Sequence, residues 1–460
     1  MLLKHLRQFI LPDLLDMPVK LLLQFLLLYL VTKQEFAVIS LGMLFFSYHP
    51  LGQLGTLDFL MLKLPENYIN NDNLDSNKNL NLSRQLVLLV TVFSGFIVII
   101  TCFITNQSNF IIFTFFAFIV QSLLYQKYLY RTVLLRYSYN LKYLSKIKVS
   151  LSLSRLVLST SGLYFFGAYG YLTAEAIIYL LPLLIFKKFK IKEFSNSISE
   201  ILSLLKLSLP FLLLSLINLV SSQIDRWIII SNSTLEVFAD YTLCVFIITS
   251  VLIVPGKVNS LIMQYYREFY VSKKSEKDYY VRVIAYLQFS IIFLGLYAII
   301  SIELVNYMIL SYLSKYLTVM KYLPIIILIL PVKYIFSIIS ALIGLEFKQK
   351  YISFFKVIFV IIFLISIFLI KVNLEGILNI VFGSTILLII LMGTYLFRNH
   401  LKEFKWNLLM FMIMFFLVLF ISYNFNSLLS KTISFLILIL LTQYKYFDFF
   451  KFLSRKLFLK

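Results

Sequence analysis

Residues 205–231, LKLSLPFLLLSLINLVSSQIDRWIIIS, decide the architecture. Among these 27 residues there are one Lys, one Asp and one Arg, and most of the others are Leu, Ile, Val and Ser. At ~1.5 Å per residue such a helix reaches about 40 Å, enough to cross the ~30 Å hydrocarbon core of a bilayer. The run is continuous rather than alternating over about ten residues, which excludes a transmembrane barrel strand. Similar runs precede it at about 14–32, 37–63, 85–105, 109–131, 149–167 and 170–187. Others follow at about 236–266, 281–303, 322–345, 351–371, 374–397, 406–423 and 428–444. The expected fold is therefore an all-α polytopic membrane protein of about 14 transmembrane helices.

Composition agrees. Of 460 residues, 61% are hydrophobic and 14% charged, against about 45–50% and 25% in ordinary soluble proteins. A soluble domain could not bury so much apolar surface, so lipid must be the solvent. A soluble enzyme and a disordered chain are excluded. The net charge of +21 suggests nucleic acid until its placement is read. The basic residues cluster between apolar runs: Arg131, Arg136, Lys142, Lys146 and Lys148 in one connection, Lys187, Lys188, Lys190 and Lys192 in another. Arg267, Lys273, Lys274, Lys277 and Arg282 form a third cluster, and the C-terminal tail holds Lys445, Lys451, Arg455, Lys456 and Lys460. The intervening connections near 104–109, 167–170 and 232–235 have none. This alternation places both termini in the cytoplasm and leaves no nucleic-acid partner. Lys4 and Arg7 precede the first run without a small-residue cleavage site, so that run reads as a retained helix. Cys102 and Cys244 lie inside apolar runs, and His5, His49 and His400 form no ligand pattern. No disulfide framework, metal site or cofactor is expected.

Two polar segments interrupt the pattern. Residues 64–84, LPENYINNDNLDSNKNLNLSR, read as a mobile cytoplasmic loop. Residues 188–206 place Lys192, Glu193, Glu200 and Lys206 around Ile198, Ile201 and Leu204, the pattern of a short amphipathic surface helix. That linker divides the chain into 1–192 with helices 1–6, 193–400 with helices 7–12, and 401–460 with helices 13–14 and a basic tail.

Several stretches carry a family resemblance. Thr32–Glu66 runs from a polar turn into an aromatic and aliphatic helix with Gly52, Gly55 and Lys63 at intervals. Ser208, Leu209 and Pro210 open the seventh span, Asp225–Arg226 sit within it, and Tyr241, Pro255, Arg267 and Glu268 follow. Lys315–Tyr316 precede Leu323–Pro324, Gly344 and Lys348 close that helix, and Asn373, Glu375 and Gly376 come before the twelfth span. Together these resemble the bacterial polysaccharide-repeat flippases (O-antigen or capsule) of the multidrug, oligosaccharidyl-lipid and polysaccharide exporter superfamily. The chain departs from that pattern at Phe36–Ala37, where an aromatic-Gly pair is frequent. The resemblance implies two six-helix lobes around a central V-shaped cavity, plus two C-terminal helices, working by alternating access. It implies an undecaprenyl-diphosphate-linked oligosaccharide as cargo, moved from the cytoplasmic to the outer leaflet of the bacterial inner membrane. Membrane lipids, a polysaccharide polymerase and chain-length machinery are the implied partners.

Charges within the spans bear on that cargo. A Lys or Arg at mid-membrane costs ~2.5–3.5 kcal/mol on insertion scales and usually faces an interior cavity. The bases are Lys20, Lys127, Arg155, Arg226, Lys257, Lys333 and Lys356, and the acids Asp58, Glu175, Asp225 and Asp240. Such an excess of bases suits a diphosphate, which Arg can hold bidentately and Lys as a point charge. The candidate substrate-binding residues are Lys257, Lys333, Arg155, Lys127, Arg131 and Lys20. Lys20, Arg155 and Lys356 lie near cytoplasmic span ends, where snorkelling is the plainer explanation. Lys127 and Arg131 share one helical stripe at i, i+4. Lys257 follows Pro255–Gly256 and Lys333 follows Pro331, so helix breaks are expected beside both. Asp225–Arg226 read as a structural or gating contact between lobes.

Two other functions compete. A cation-coupled multidrug antiporter needs buried carboxylates, whereas here bases dominate the spans. A membrane polymerase or ligase needs a large extracytoplasmic loop with acids or His. The longest such connection, 304–321, LVNYMILSYLSKYLTVMK, has neither. No nucleophile–His–Asp grouping can be assembled, so no catalytic residue and no enzyme are expected. The absence of a Walker motif argues against direct ATP use.

Overall fold

The computed structural model describes residue 16 and residues 18–69, 73–137, 141–185, 198–271, 276–345, 349–369 and 373–398. The expected helices 13–14 and the basic tail lie outside the described residues. Those described are helical almost throughout, without strands. Nine helices among them are long and apolar enough to cross a membrane. The chain is an all-α, multi-pass membrane protein. It divides into two units, Met1–Gln223 and Ile224–Lys460, with the division inside one long helix.

The first unit opens with α1 (Pro18–Leu30). The stretch expected from the sequence as the second span is built from pieces, α2 (Lys33–Phe46), α3 (His49–Gly52) and α4 (Thr56–Ile69), none of them among the nine long apolar helices. Thr32 caps α2 reciprocally with Glu35: the Thr32 hydroxyl accepts from the Glu35 N–H at 3.2 Å, and the Thr32 N–H donates to Glu35 Oε2 at 2.8 Å. Pro50 stands at the start of α3, and Leu54 (φ 50°) and Gly55 (φ 71°) turn the chain into α4. A side chain at Gly55 would put Cβ 2.4 Å from the Leu212 backbone nitrogen, so glycine is required there. Then come α5 (Asn73–Ile104), α6 (Asn109–Tyr137) and α7 (Leu141–Ser154), which runs through a π-helical turn (Arg155–Ser159) into α8 (Thr160–Ile177) and α9 (Leu180–Ile185). Within α8 the chain reverses at Gly167, φ 59° and ψ −142°, which separates the fifth span from the sixth as expected. Gly162 and Gly170 face each other across that reversal so closely that a Cβ on Gly162 would lie 2.4 Å from the Gly170 carbonyl.

The segment 64–84 is not the loop its composition suggests. Helices α4 and α5 cover its described residues. The reason is partial pairing of its polar groups within a packed apolar core, with Asn81 Nδ2 left without a partner among the described residues. Asn81 and Ser83 are fully buried. Thr56 and Ser83 share a 2.6 Å hydrogen bond, Ser83 bonds Tyr130, and Arg84 donates to Asn81 Oδ1 at 3.0 Å. Around them Leu57, Leu60, Leu80, Leu82, Val87, Tyr130, Val133 and Leu204 form an apolar core. The separate amphipathic helix at 188–206 is likewise absent where described: residues 198–206 are the first turns of α10 (Ile198–Asn232), with Leu204 in that core. Residues 186–197 lie outside the described residues.

The second unit begins in the last turns of α10 and continues with α11 (Leu235–Val271) and α12 (Glu276–Tyr312). A 3-10 helix (Ser314–Tyr322), α13 (Leu323–Leu345), α14 (Gln349–Leu369) and α15 (Leu374–Phe397) complete it. The connection 304–321 is thus mostly helical, anchored by buried Tyr316 and Val319 and by Thr318, which donates to Asp240 Oδ2 at 2.9 Å. α13 is the central helix, packed against α11, α12, α14 and α15. Pro255 and Pro331 do not end their helices, which continue past both.

Candidate functional site

Arg155 opens the π-helical turn of the first unit. Such single-turn insertions occur often where a side chain must be re-aimed at a site. Here the guanidinium lies between two carboxylates, with NH1 3.4 Å from Asp16 Oδ1 and Nε 3.6 Å from Glu175 Oε1. Glu175, buried in α8, also accepts from Ser159 Oγ and Gln121 Nε2, each at 2.9 Å. Asp16 accepts from Ser152 Oγ at 2.9 Å and pairs with Lys20 at 2.6 Å. Two cations therefore meet two carboxylates, and three neutral donors fill the remaining acceptor positions. This cluster is closed: it ties α1 to the π turn and α8, and its charges cancel.

The second unit is different. Asp225 and Arg226 lie on its portion of α10, and Lys333 comes within electrostatic reach of both from α13. The Asp225 carboxylate is already engaged. Oδ2 accepts a short hydrogen bond from buried Tyr241, and Oδ1 accepts from the Arg226 backbone N–H at 2.9 Å. Arg226 Nε is buried without a hydrogen-bond partner. Lys333 is half-buried. Among the described residues, neither cation is within ion-pair distance of a carboxylate. Two cations thus lie within electrostatic range of one carboxylate whose oxygens already accept hydrogen bonds, so the formal charges sum to a positive surplus and the buried Arg226 Nε is unsatisfied. A buried donor of this kind costs about 1–3 kcal/mol and calls for a partner.

The other expected residues lie apart from these two groups. Lys127 is exposed on α6. Arg131, one turn further along, donates from NH1 to the Leu183 carbonyl at 2.6 Å, near the C-terminal end of α9, where carbonyls lack helical partners. Lys257 is exposed on α11. Two residues before it, the Pro255 carbonyl accepts from Tyr334 at 3.0 Å and joins α11 to α13 beside Lys333. Lys20 is exposed and occupied with Asp16. Thus the structure places Lys333 within electrostatic range of Asp225–Arg226 and joins Lys20 to Arg155 through Asp16. Sequence reading missed the partners of Arg155. The Asp16–Lys20 spacing of i, i+4 signals that pair, whereas Gln121 and Ser159 reach Glu175 from other turns and carry no local signature. Among the described residues no cluster of His, Cys, Asp and Glu could hold a metal ion.

No protein-family model matches the chain, and no curated protein matches it. Solved structures do. A lipid II flippase, MurJ, in an inward closed conformation superposes with a TM-score of 0.67 at 13% identity, covering 96% of this chain and 99% of that one. An inward-facing multidrug-resistance MATE transporter of the MOP superfamily matches with a TM-score of 0.58 at 13% identity, over 84% of this chain and 96% of its own. A MOP-superfamily transporter from Pyrococcus furiosus, described by a reversed polarity of its binding pocket, matches at 0.57 with 15% identity, over 87% and 96%. At such identities the likeness shows the fold alone, and that fold is the one these membrane transporters share.

Proposed function

We propose that this chain is a flippase that moves an undecaprenyl-diphosphate-linked oligosaccharide repeat unit from the cytoplasmic to the outer leaflet by alternating access, for export of O-antigen, capsule or a related polysaccharide. The observation that carries the reading is the uncompensated pair Arg226–Lys333 in a membrane-embedded unit. Placing cations there without carboxylates to neutralise them is unfavourable unless an anion arrives. A diphosphate carries roughly two negative charges and several acceptor oxygens, and Arg and Lys complement it as fork and point charge. Tyr241 assists by occupying Asp225, which would otherwise compete with the anion. The MurJ likeness supports a lipid-linked cargo through its fold. No covalent step is involved: the cations capture the head group, and a change of access releases it on the far side. Lys127, Arg131 and Lys257 are proposed as secondary head-group contacts, whereas Arg155 and Lys20, which the sequence also offered as cargo contacts, are proposed as an internal brace because Asp16 and Glu175 already engage them. The Lys and Arg bias of the connections supports cytoplasmic termini in the bacterial inner membrane. A polymerase and chain-length machinery are the proposed downstream partners.

The antiporter reading needs an open carboxylate to receive a coupling cation. Glu175 and Asp16 are each paired with Arg155, which weakens that reading at the buried cluster, whereas the exposed Asp58 accepts from Ser215 at 3.1 Å and is the acid that reading would need. The test is a deletion strain complemented with Lys333→Ala or Arg226→Ala. Loss of surface polysaccharide with lipid-linked repeats accumulating on the cytoplasmic side supports the proposal. Normal export by both variants refutes it.

A further inference from the structure

The break in the second span opens a pocket that the diphosphate cluster does not use. It lies in the first unit between α3 and the facing sides of α5 and α6, with a volume of about 260 Å³. Its walls include Phe45, Tyr48, His49, Thr91, Ser94 and Ser122. Irregular backbone at membrane depth is tolerated where it is buried in protein or lines a cavity. Interrupted helices of this kind often border substrate sites in transporters.

His49 sets the chemistry of the pocket. Its Nδ1 lies 3.1 Å from the Phe46 carbonyl, which can only accept, so Nδ1 holds the proton. The ring is stacked on Phe46 at 5.3 Å and meets Tyr125 edge-on at 4.7 Å, surroundings that favour the neutral imidazole. Nε2 is then an acceptor, and among the described residues it makes no hydrogen bond. Thr91 and Ser94 donate their hydroxyl protons within α5, to Val87 at 2.8 Å and to Thr91 at 3.2 Å. They too turn only lone pairs outward. Ser122, buried on α6, adds a hydroxyl. Among the described residues no charged side chain lines the pocket.

The wall is mostly apolar, with Leu51, Val90 and Ile119 beside the rings and only a few polar atoms among them, and such an uncharged pocket disfavours two ligand classes. An anion would meet lone pairs and no cation. A cation would enter without a carboxylate to neutralise it. What fits is a neutral ring with an apolar face to lie on an aromatic side chain and hydroxyl donors at its edge. The volume is below the ~300–1,000 Å³ of sites for drug-sized ligands, and one ring fills it. We propose that this pocket is a subsite for a single neutral pyranose. The proposal rests on the flippase reading for its source, the sugar of the cargo; the same chemistry could come from the head group of a bilayer glycolipid.

The experiment uses the full chain in nanodiscs and follows carbethoxylation of His49 by diethyl pyrocarbonate, read by peptide mass spectrometry. The probes are the methyl pyranosides of glucose, galactose, mannose and N-acetylglucosamine, with tetramethylammonium and inorganic pyrophosphate as charged controls. The expected result is that His49 reacts in the free protein and that at least one pyranoside slows the reaction threefold or more, while neither control does. Gly52→Leu and Ser94→Leu, which fill the pocket from α3 and α5, should abolish the protection. Glucosyl diacylglycerol in the nanodisc is the second arm: protection by it alone assigns the subsite to a glycolipid, and protection by a free pyranoside assigns it to cargo. An unreactive His49, equal protection by the charged probes, protection that survives both filling variants, or no protection by any sugar probe overturns the proposal. None of these outcomes depends on export, so failure here is distinguishable from failure of the Lys333 and Arg226 test.

Discussion

Arg155 and Lys333 are both basic residues inside apolar spans, and their surroundings make them opposites. Arg155 is held by Asp16 at 3.4 Å and Glu175 at 3.6 Å, with neutral donors completing both carboxylates. Lys333 shares its neighbourhood with Arg226 and with Asp225, whose oxygens are occupied by Tyr241 and a backbone N–H. A base in a membrane span therefore does not by itself mark an anion site. What marks one is the balance left after neighbouring acceptors have been counted. The first unit uses its ions to hold helices together; the second keeps a positive surplus.

The sharpest way to break this contrast is to remove Arg155. Deleting one partner of a buried ion pair leaves the other charge stranded, typically at a cost of about 3–5 kcal/mol. Arg155→Ala should lower the free energy of unfolding in detergent by that order and reduce the folded yield in membranes. Arg155→Met with Glu175→Leu should recover most of the loss, since well-packed apolar replacements of buried pairs are often neutral. If Arg155→Ala unfolds like the parent and instead loses transport selectively, Arg155 belongs with the anion site and the contrast fails.

Lys333→Ala should behave in the reverse manner. With no ion pair to lose, its unfolding free energy should stay within ~1 kcal/mol of the parent. A hydrogen bond to a charged group is worth about 1.5–3 kcal/mol, so head-group affinity should fall roughly ten- to hundredfold. Pyrophosphate binding to the purified protein, measured calorimetrically, checks the affinity, and Lys333→Arg should retain much of it.

Much of this was legible beforehand, and the failures have physical causes. Long apolar runs report their solvent directly, so the spans and the turn near Gly167 could be read from residue order. The polar stretch 64–84 could not, because Asn81 and Ser83 find partners, one with Arg84, the other with Thr56 and Tyr130, that are visible only once helices pack. The same limit applies to the charged groups. The run QIDRW at 223–227 displays its acid and base together, but that Tyr241 occupies the acid depends on a contact between α10 and α11. Likewise the prolines at 255 and 331 suggest breaks beside Lys257 and Lys333, yet both helices run on, because a proline removes only the one N–H that the carbonyl four residues earlier would accept and the remaining helical bonds and packing hold the turn.

The role of Tyr241 gives a smaller test. Tyr241→Phe removes only a hydroxyl and frees Asp225 Oδ2 to attract Lys333 or Arg226. The surplus charge should then be partly neutralised, and pyrophosphate affinity should drop a few-fold. Tyr241→Phe combined with Asp225→Asn should restore binding toward the parent value, because the released competitor is gone. A structural role for Tyr241 alone would not produce that rescue.

The least effect should come from Lys20. Its side chain is 56% exposed and its partner Asp16 retains Arg155 and Ser152 when it is removed. Exposed ion pairs contribute about 0–1 kcal/mol and weaken with salt. Lys20→Ala should therefore shift unfolding by less than ~1 kcal/mol and leave export within about twofold of the parent. The comparison gains most if that small effect disappears in the Arg155→Ala background or grows there. Growth would mean that Asp16 relies on whichever cation remains, the behaviour of a coupled ionic brace. Strict additivity would mean that Lys20 and Arg155 act separately, and the first unit would then hold two independent contacts rather than one closed cluster.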